Sequence, residues 1–170
     1  IKRQLFDFHK WRPDQLWALG RIRTPEKLAR HIAGKIIKKI PVEHLAFVNY
    51  DRQSISYEVL FPSDHKERFD KDESWIQNLN TDAHILRRDG ISERAQMPQE
   101  QHSLEKIFQR FHAEYCIPLK HTQYKGLLGA IFIGKRIDGK PFTPANEEFL
   151  RKIQIEFIPY QAEMSMVYDF

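Results

Sequence analysis

At 170 residues, 41% hydrophobic and 29% charged, the chain has the size and composition of one globular domain with a short extension, large enough to bury a core without staples. Its single cysteine, Cys116, excludes an internal disulfide framework, a cysteine-rich zinc site and dithiol redox chemistry, and no apolar run reaches the roughly 18 residues of a membrane span. The net charge of +4 is uneven, because residues 1–40 hold eleven basic and three acidic side chains and the remainder is net acidic.

The first predicted helix covers about residues 2–20, with Leu5, Phe6, Phe8, Trp11, Leu16, Trp17 and Leu19 on its greasy side and a kink near Trp11–Arg12 caused by Pro13. The second starts at Thr24 as N-cap and Pro25 as first residue. Leu28, Ile32, Ala33, Ile36, Ile37 and Ile40 form its apolar stripe, and Pro41 stops it. His44–Tyr50 is apolar on both sides, which suits a central strand. Ser54–Phe61 alternates, placing Ile55, Tyr57, Val59 and Phe61 on one face, and Asp51–Gln53 forms the hairpin loop between the two.

Residues 62–98 are charged and carry few apolar positions. Within them Glu73–Asn80 predicts a short helix with Trp75, Ile76 and Leu79 inward, Ala83–Arg88 is extended, and Asp89–Gly90 turns the chain. Helical spacing returns over Pro98–His112 through Leu104, Ile107, Phe108 and Phe111. Two strands follow, Ala113–Lys120 and residues 125–135, joined by a hairpin at His121–Tyr124. Thr143 then caps a last helix with Pro144 at its first position and Phe149, Leu150, Ile153, Phe157 and Ile158 on one side. Pro159 is expected to kink it midway. Helices at both ends of antiparallel hairpins give an α+β class.

The stretch from Cys116 to Leu150 carries a recognisable order of residues: Ile117-Pro118-Leu119, Gly126, Gly129, Gly134-Lys135, Pro141-Phe142-Thr143 and Phe149-Leu150. This resembles the C-terminal half of a GAF domain, and the helix from Thr24 and the strand from His44 sit where that family places them. The resemblance covers about residues 24–168. It implies a GAF/PAS-like antiparallel sheet of about five or six strands, with terminal helices packed on one face and a variable helix and loop segment on the other. Residues 1–22 would form a connecting helix for signalling and dimerisation, and residues 23–170 the GAF-like domain.

The function implied by the resemblance is a sensory or regulatory domain of a multidomain signal-transduction protein, such as a two-component system, working in the cytoplasm or on the cytoplasmic side of a membrane-anchored receptor. It would bind a small molecule and relay a signal to a neighbouring kinase, cyclase, phosphodiesterase or phosphatase. By the same analogy, Trp75, Leu79, Leu86, Phe108 and Phe111 wall the pocket, with Arg87 and Arg88 facing an anionic ligand; as ordinary residues they would be core and solvated surface. A homodimer is expected through Leu5, Phe8, Leu16 and Leu19 and through Phe157 and Met164. A ligand-free dimerisation connector is the alternative.

No catalytic constellation is present. The family's cyclic-nucleotide motif falls here on Gly134, Lys135, Phe142, Asn146 and Glu147, and loses its Asn and its Asp. Cys116 lies in an apolar strand, which suits a buried thiol better than a thioether to a bilin. The eight histidines show no H-E-x-x-H and no zinc spacing, and His112-Ala-Glu114 lacks the Pro-Cys-x-x-Cys of a deaminase. No G-x-S-x-G, P-loop or dinucleotide fingerprint occurs, so no enzyme activity and no metal site is expected, and the sequence leaves any cofactor unknown, a lone haem-ligating His included. The basic N-terminal segment reads as a solvated helical face. A positive-inside membrane flank and a nucleic-acid binder are the other readings of that charge, and since no binding motif accompanies it no nucleic-acid partner is expected.

Overall fold

A computed structural model describes residues 24–121 and 126–167, with side chains through residue 162 in the last helix. The predicted first helix, with Leu5, Phe8, Leu16 and Leu19, lies outside the described residues, as does the Met164 side chain.

Helix α1 (Pro25–Lys39) begins where its cap predicts: the Thr24 hydroxyl accepts from the Lys27 amide at 3.2 Å. It buries Leu28, Ala29, Ile32, Ala33 and Ile36, but Ile37, expected in the same stripe, lies on its flank at the last turn and stays 37% exposed. Strands β1 (Leu45–Asp51) and β2 (Ser56–Phe61) pair antiparallel as a hairpin. Two expectations for β2 fail. Ile55 belongs to the turn, at φ +52° and 55% exposed. A bulge between Val48↔Val59 and Phe47↔Phe61 inserts Leu60, so Phe61 leaves the face of Tyr57 and Val59 and joins the opposite core.

The middle segment adds a strand that the sequence pattern does not show, β3 (Arg68–Asp70), paired with β2. Helix α2 (Ser74–Thr81) then buries Trp75, Ile76 and Leu79 as expected. Of the extended stretch Ala83–Arg88 only Leu86–Arg87 pairs, as β4. The expected turn at Asp89–Gly90 is instead a 3-10 turn, Arg88–Gly90, continuing into the one-turn helix α3 (Ile91–Arg94), which tucks Ile91 into the core. Helix α4 (Pro98–Arg110) and strands β5 (Tyr115–Leu119) and β6 (Gly129–Ile133) complete the sheet.

Helix α5 (Pro144–Glu156) opens on a reciprocal capping box, with the Asn146 amide donating to the Thr143 hydroxyl and the Thr143 amide to Asn146 Oδ1, both at 3.0 Å. Phe142 does not staple within its own helix, where Glu147 occupies the facing position. It packs across on Tyr115 of β5, ring centroids 4.6 Å apart. The chain breaks at Phe157 and resumes as α6 (Ile158–Val167), with Pro159 in its first turn.

Among the described residues the sheet has six strands, all antiparallel neighbours, in the order β3-β2-β1-β6-β5-β4. Alternation along the central strands feeds two cores. On one face Phe47, Ile117 and Ile131 meet α1, α5 and α6. On the other, Val48, Cys116 and Phe132 meet α2, α3 and α4. The fold is the expected α+β arrangement, with terminal helices on one face and the variable segment on the other. Among the described residues no helix is long and apolar enough to cross a membrane.

Candidate functional site

The structure separates the residues expected to line a pocket. Trp75, Leu79, Leu86, Phe108 and Phe111 are brought together, but they fill the core of the variable layer at 0–6% exposure. Phe132 of β6 is the hub: the rings of Phe111, Trp75 and Phe108 stand 4.9, 5.7 and 5.9 Å from it. Arg87 and Arg88 face elsewhere, into a cleft at the β4 edge of the sheet.

The open space on the variable face lies next to that aromatic core. It is a cavity of about 390 Å³, bounded by Tyr50 and Tyr57 of the hairpin, Ile76 and Asn80 of α2, and Leu127 and Leu128 before β6. Lys71, Asp72 and Arg52 stand at its mouth. The Tyr57 hydroxyl donates to the Leu127 carbonyl at 2.6 Å, and burial raises its pKa further above the ordinary phenol value, so it stays a neutral wall. Asn78 and Asn80 face different fates one half-turn apart. Asn78 donates to Glu100 at 2.9 Å and accepts from Arg94 at 3.2 Å. Asn80 Oδ1 is buried and has no hydrogen-bond partner among the described residues. An acceptor left in that state costs about 1–3 kcal/mol, and its residue borders a cavity large enough for a small ligand. Arg94 Nη2, the other such atom, sits on an otherwise well-tied guanidinium that also donates to the His84 carbonyl at 2.9 Å.

The cavity wall is wired to the last helix. Gln161 of α6 is 4% exposed and donates to Asn49 Oδ1 at 2.7 Å and to the Leu128 carbonyl at 3.0 Å. Asn49, 8% exposed, donates to the Tyr50 carbonyl at 3.0 Å, and the Tyr50 amide donates to the same Leu128 carbonyl at 2.9 Å. Gly129 makes this approach possible: a Cβ there would lie 2.4 Å from the Val48 carbonyl oxygen and 3.0 Å from Gln161 Nε2. Gly129 thus sits at a close backbone approach, whereas Gly126 is exposed, lies outside β6 and has nothing within 4 Å.

The remaining sequence candidates have structural duties. Asn146 holds the α5 cap and accepts from Arg136 at 3.0 Å, while Glu147 accepts from the Tyr115 hydroxyl at 2.6 Å. Cys116 is fully enclosed, and burial pushes its thiol well above the usual range. Among the described residues no three His, Cys, Asp or Glu side chains converge as a metal set; His44 and His112 instead stack on each other at 4.5 Å. Tyr57, Asn80 and Leu127 were not among the sequence candidates. Only the polar interruption of an apolar helix face at Asn80 hinted at them.

No protein-family model matches the sequence, and no curated protein matches it. Solved structures share its fold. A GAF domain/HD domain protein from Geobacter sulfurreducens aligns at a TM-score of 0.56 with 14% identity, over 82% of this chain and 93% of that one. Residues 122 to 287 of a methyl-accepting chemotaxis protein align at 0.65 with 10% identity, over 89% and 96%. The GAF domain of a two-component sensor histidine kinase from Bacillus halodurans aligns at 0.58 with 10% identity, over 88% and 100%. Identities this low speak for the fold.

Proposed function

We propose that this chain, whose fold is that of GAF domains, is the sensory domain of a multidomain signalling protein and reads a small molecule in the cavity beside Asn80. The observation that carries the reading is a cavity of about 390 Å³ bordered by Asn80, whose buried Oδ1 has no partner among the described residues. A fitting ligand offers an apolar body to Tyr57 and Leu127 and an anionic end to Lys71, and donates to the Asn80 oxygen once the amide turns from its buried position into the cavity. Binding that repositions Tyr50 or Leu128 acts on Gln161 and so on α6. To signal, the ligand must favour one placement of α6 over another. The output module is then a kinase, cyclase, phosphodiesterase or phosphatase joined to this domain in a cytoplasmic setting. The domain itself is regulatory and not catalytic.

The homodimer belongs to this reading, through Leu5, Phe8, Leu16 and Leu19 and the end of α6 around Met164. Phe157 serves it indirectly: it is 2% exposed, edge-on to His31 at 5.7 Å, and so anchors the start of α6 within its own subunit.

A screen of metabolites by thermal shift, with native mass spectrometry of the purified protein, tests the proposal. The expected result is a ligand that raises Tm in the wild type and fails to do so in Asn80→Leu. One specific observation favours a ligand-free connector instead: five of the seven residues expected at the pocket fill space rather than line it. A flat screen, together with an Asn80→Leu variant more stable than wild type, would establish the connector. Light scattering that finds only monomer at high concentration would remove the dimer from both readings.

A further inference from the structure

The Arg87–Arg88 cleft lies at the β4 edge of the sheet and does not share a residue with the cavity beside Asn80. It has a volume of about 500 Å³, within the usual range for small-molecule sites. One wall is the end of β4, with Arg87 and Arg88. The other is the loop after β6, with Lys135, Arg136 and Lys140, and Phe142 closes the end.

The charges in this cleft do not cancel. Arg87 is shared between Asp89 at 3.2 Å and Glu147 at 3.7 Å, and Arg88 reaches Glu114 at 3.3 Å. Arg136 is bound tightly, to Asp138 at 2.5 Å and Asn146 at 3.0 Å. Lys140 acts on Asp138 only through its charge and Lys135 has no carboxylate partner among the described residues, so five cations face four carboxylates and one positive charge is in excess. The Arg87 and Arg88 side chains are each more than half exposed, and such pairs contribute only about 0–1 kcal/mol. They are therefore exchangeable for a better anion, and Glu147 is already engaged by the Tyr115 hydroxyl.

The backbone that carries the two lysines is held firmly. The Lys135 carbonyl accepts from the Glu43 amide at 2.8 Å, and Arg136 bridges to Val42. The Ile137 amide donates to the Pro41 carbonyl at 3.0 Å, and the Lys140 amide to Asp138 at 3.0 Å. Gly139 takes the φ of +75° that lets the loop turn back. The exposed ammonium groups of Lys135 and Lys140 and the two weakly paired, forked guanidinium groups, on fixed walls, suit an anion with more than one charged centre, and oxygens that accept bidentate pairs. A lone carboxylate would engage only part of this set.

We propose that this cleft is a second binding site, for a phosphate-bearing small molecule, independent of the sensing cavity. Titration calorimetry with inorganic pyrophosphate and with a nucleoside diphosphate tests it on the whole chain. Saturable binding is expected in the wild type, with at least a tenfold loss in Lys135→Gln/Lys140→Gln and a smaller loss in Arg88→Gln. These side chains hold no buried contact, so Tm should be unchanged. Lys38→Gln/Lys39→Gln, on exposed positions of α1, should bind as wild type does. A nucleoside diphosphate that binds more tightly than pyrophosphate, with the difference removed by Phe142→Leu, would identify the ligand as a nucleotide; equal binding of both would identify bare phosphate groups as the determinant. No saturable heat with either probe up to about 10 mM, or an equal loss in the α1 control, would overturn the proposal. Asn80→Leu should leave this binding intact, so failure here and failure of the sensing reading are separate results.

Discussion

Two glycines of nearly equal standing in the sequence have opposite roles, and this is directly measurable. At Gly129 an added methyl meets the Val48 carbonyl oxygen and the amide of Gln161; at Gly126 it meets nothing. Gly129→Ala should cost about 1–3 kcal/mol in urea unfolding, the usual range for an overfilled site, whereas Gly126→Ala should be neutral or slightly stabilising because it restricts the unfolded chain. Titration is residue-scale too. His31 lies half-buried between Phe157, Lys35 and Glu156, and burial, then Lys35, lowers its pKa below 6.5, with Glu156 opposing. The native state therefore prefers the neutral ring. The stability this confers is complete above 6.5 and is lost as pH falls through that value towards the folded pKa. His121, lowered by burial, acts in the same direction; Glu58, raised by burial, acts in the opposite one. Burial pushes Asp51, Glu67 and Asp82 up, but their hydrogen-bond and charged partners together outweigh it and hold them low, so they lose their contribution only in the acid range below the ordinary carboxylate value. His31→Gln should thus flatten the fall in Tm between about pH 7.5 and 5.5, and an unchanged slope would show that His31 does not set it.

Elements were legible where one signal repeats along the chain or a cap marks an end. Helix α1 shows both, α4 the period and α5 the cap. The cap of α5 gives the prediction for this scale: Thr143→Ala should destabilise by about 1 kcal/mol while Thr143→Ser stays near wild type, as read from urea midpoints. A loss shared equally by Ser would mean the methyl and not the hydroxyl matters. Where the chain gave no repeat, the reading failed for physical reasons. Strand β3 is three residues with only Phe69 inward, too short for any period to show. The bulge at Leu60 depends on how β2 meets β1, a relation between strands that β2 alone does not carry. The site was less legible than the fold for the same reason. Asn78 and Asn80 look alike in sequence, and they differ only because α4 and Arg94 come to rest beside the first and not the second. Arg87 and Arg88 stand out in the sequence as a pair, but the lysines that face them arrive from a loop almost fifty residues later.

At the scale of the molecule, the two layers share their central strands. Along β6, Ile131 and Ile133 point to the terminal helices and Ala130 and Phe132 to the variable segment; β1 divides Phe47 and Val48 in the same way. Neither layer can lose its order without disturbing strands that the other layer packs on, so the described domain should unfold as one unit despite its two cores. Trp75 lies in the variable core in edge contact with Phe132, and with Trp11 and Trp17 replaced by Phe its fluorescence reports that layer alone, while far-UV circular dichroism weighs the helices of both. Urea transitions followed by the two probes should coincide. Ile131→Val, on one face, and Phe132→Leu, on the other, should each shift both curves together, with Ile131→Val costing about 0.5–1.5 kcal/mol. If Phe132→Leu moved the Trp75 curve and left the dichroism curve behind, the variable layer would be an independently melting unit. A signal from the cavity beside Asn80 would then have to pass through Gln161 alone and not through the sheet.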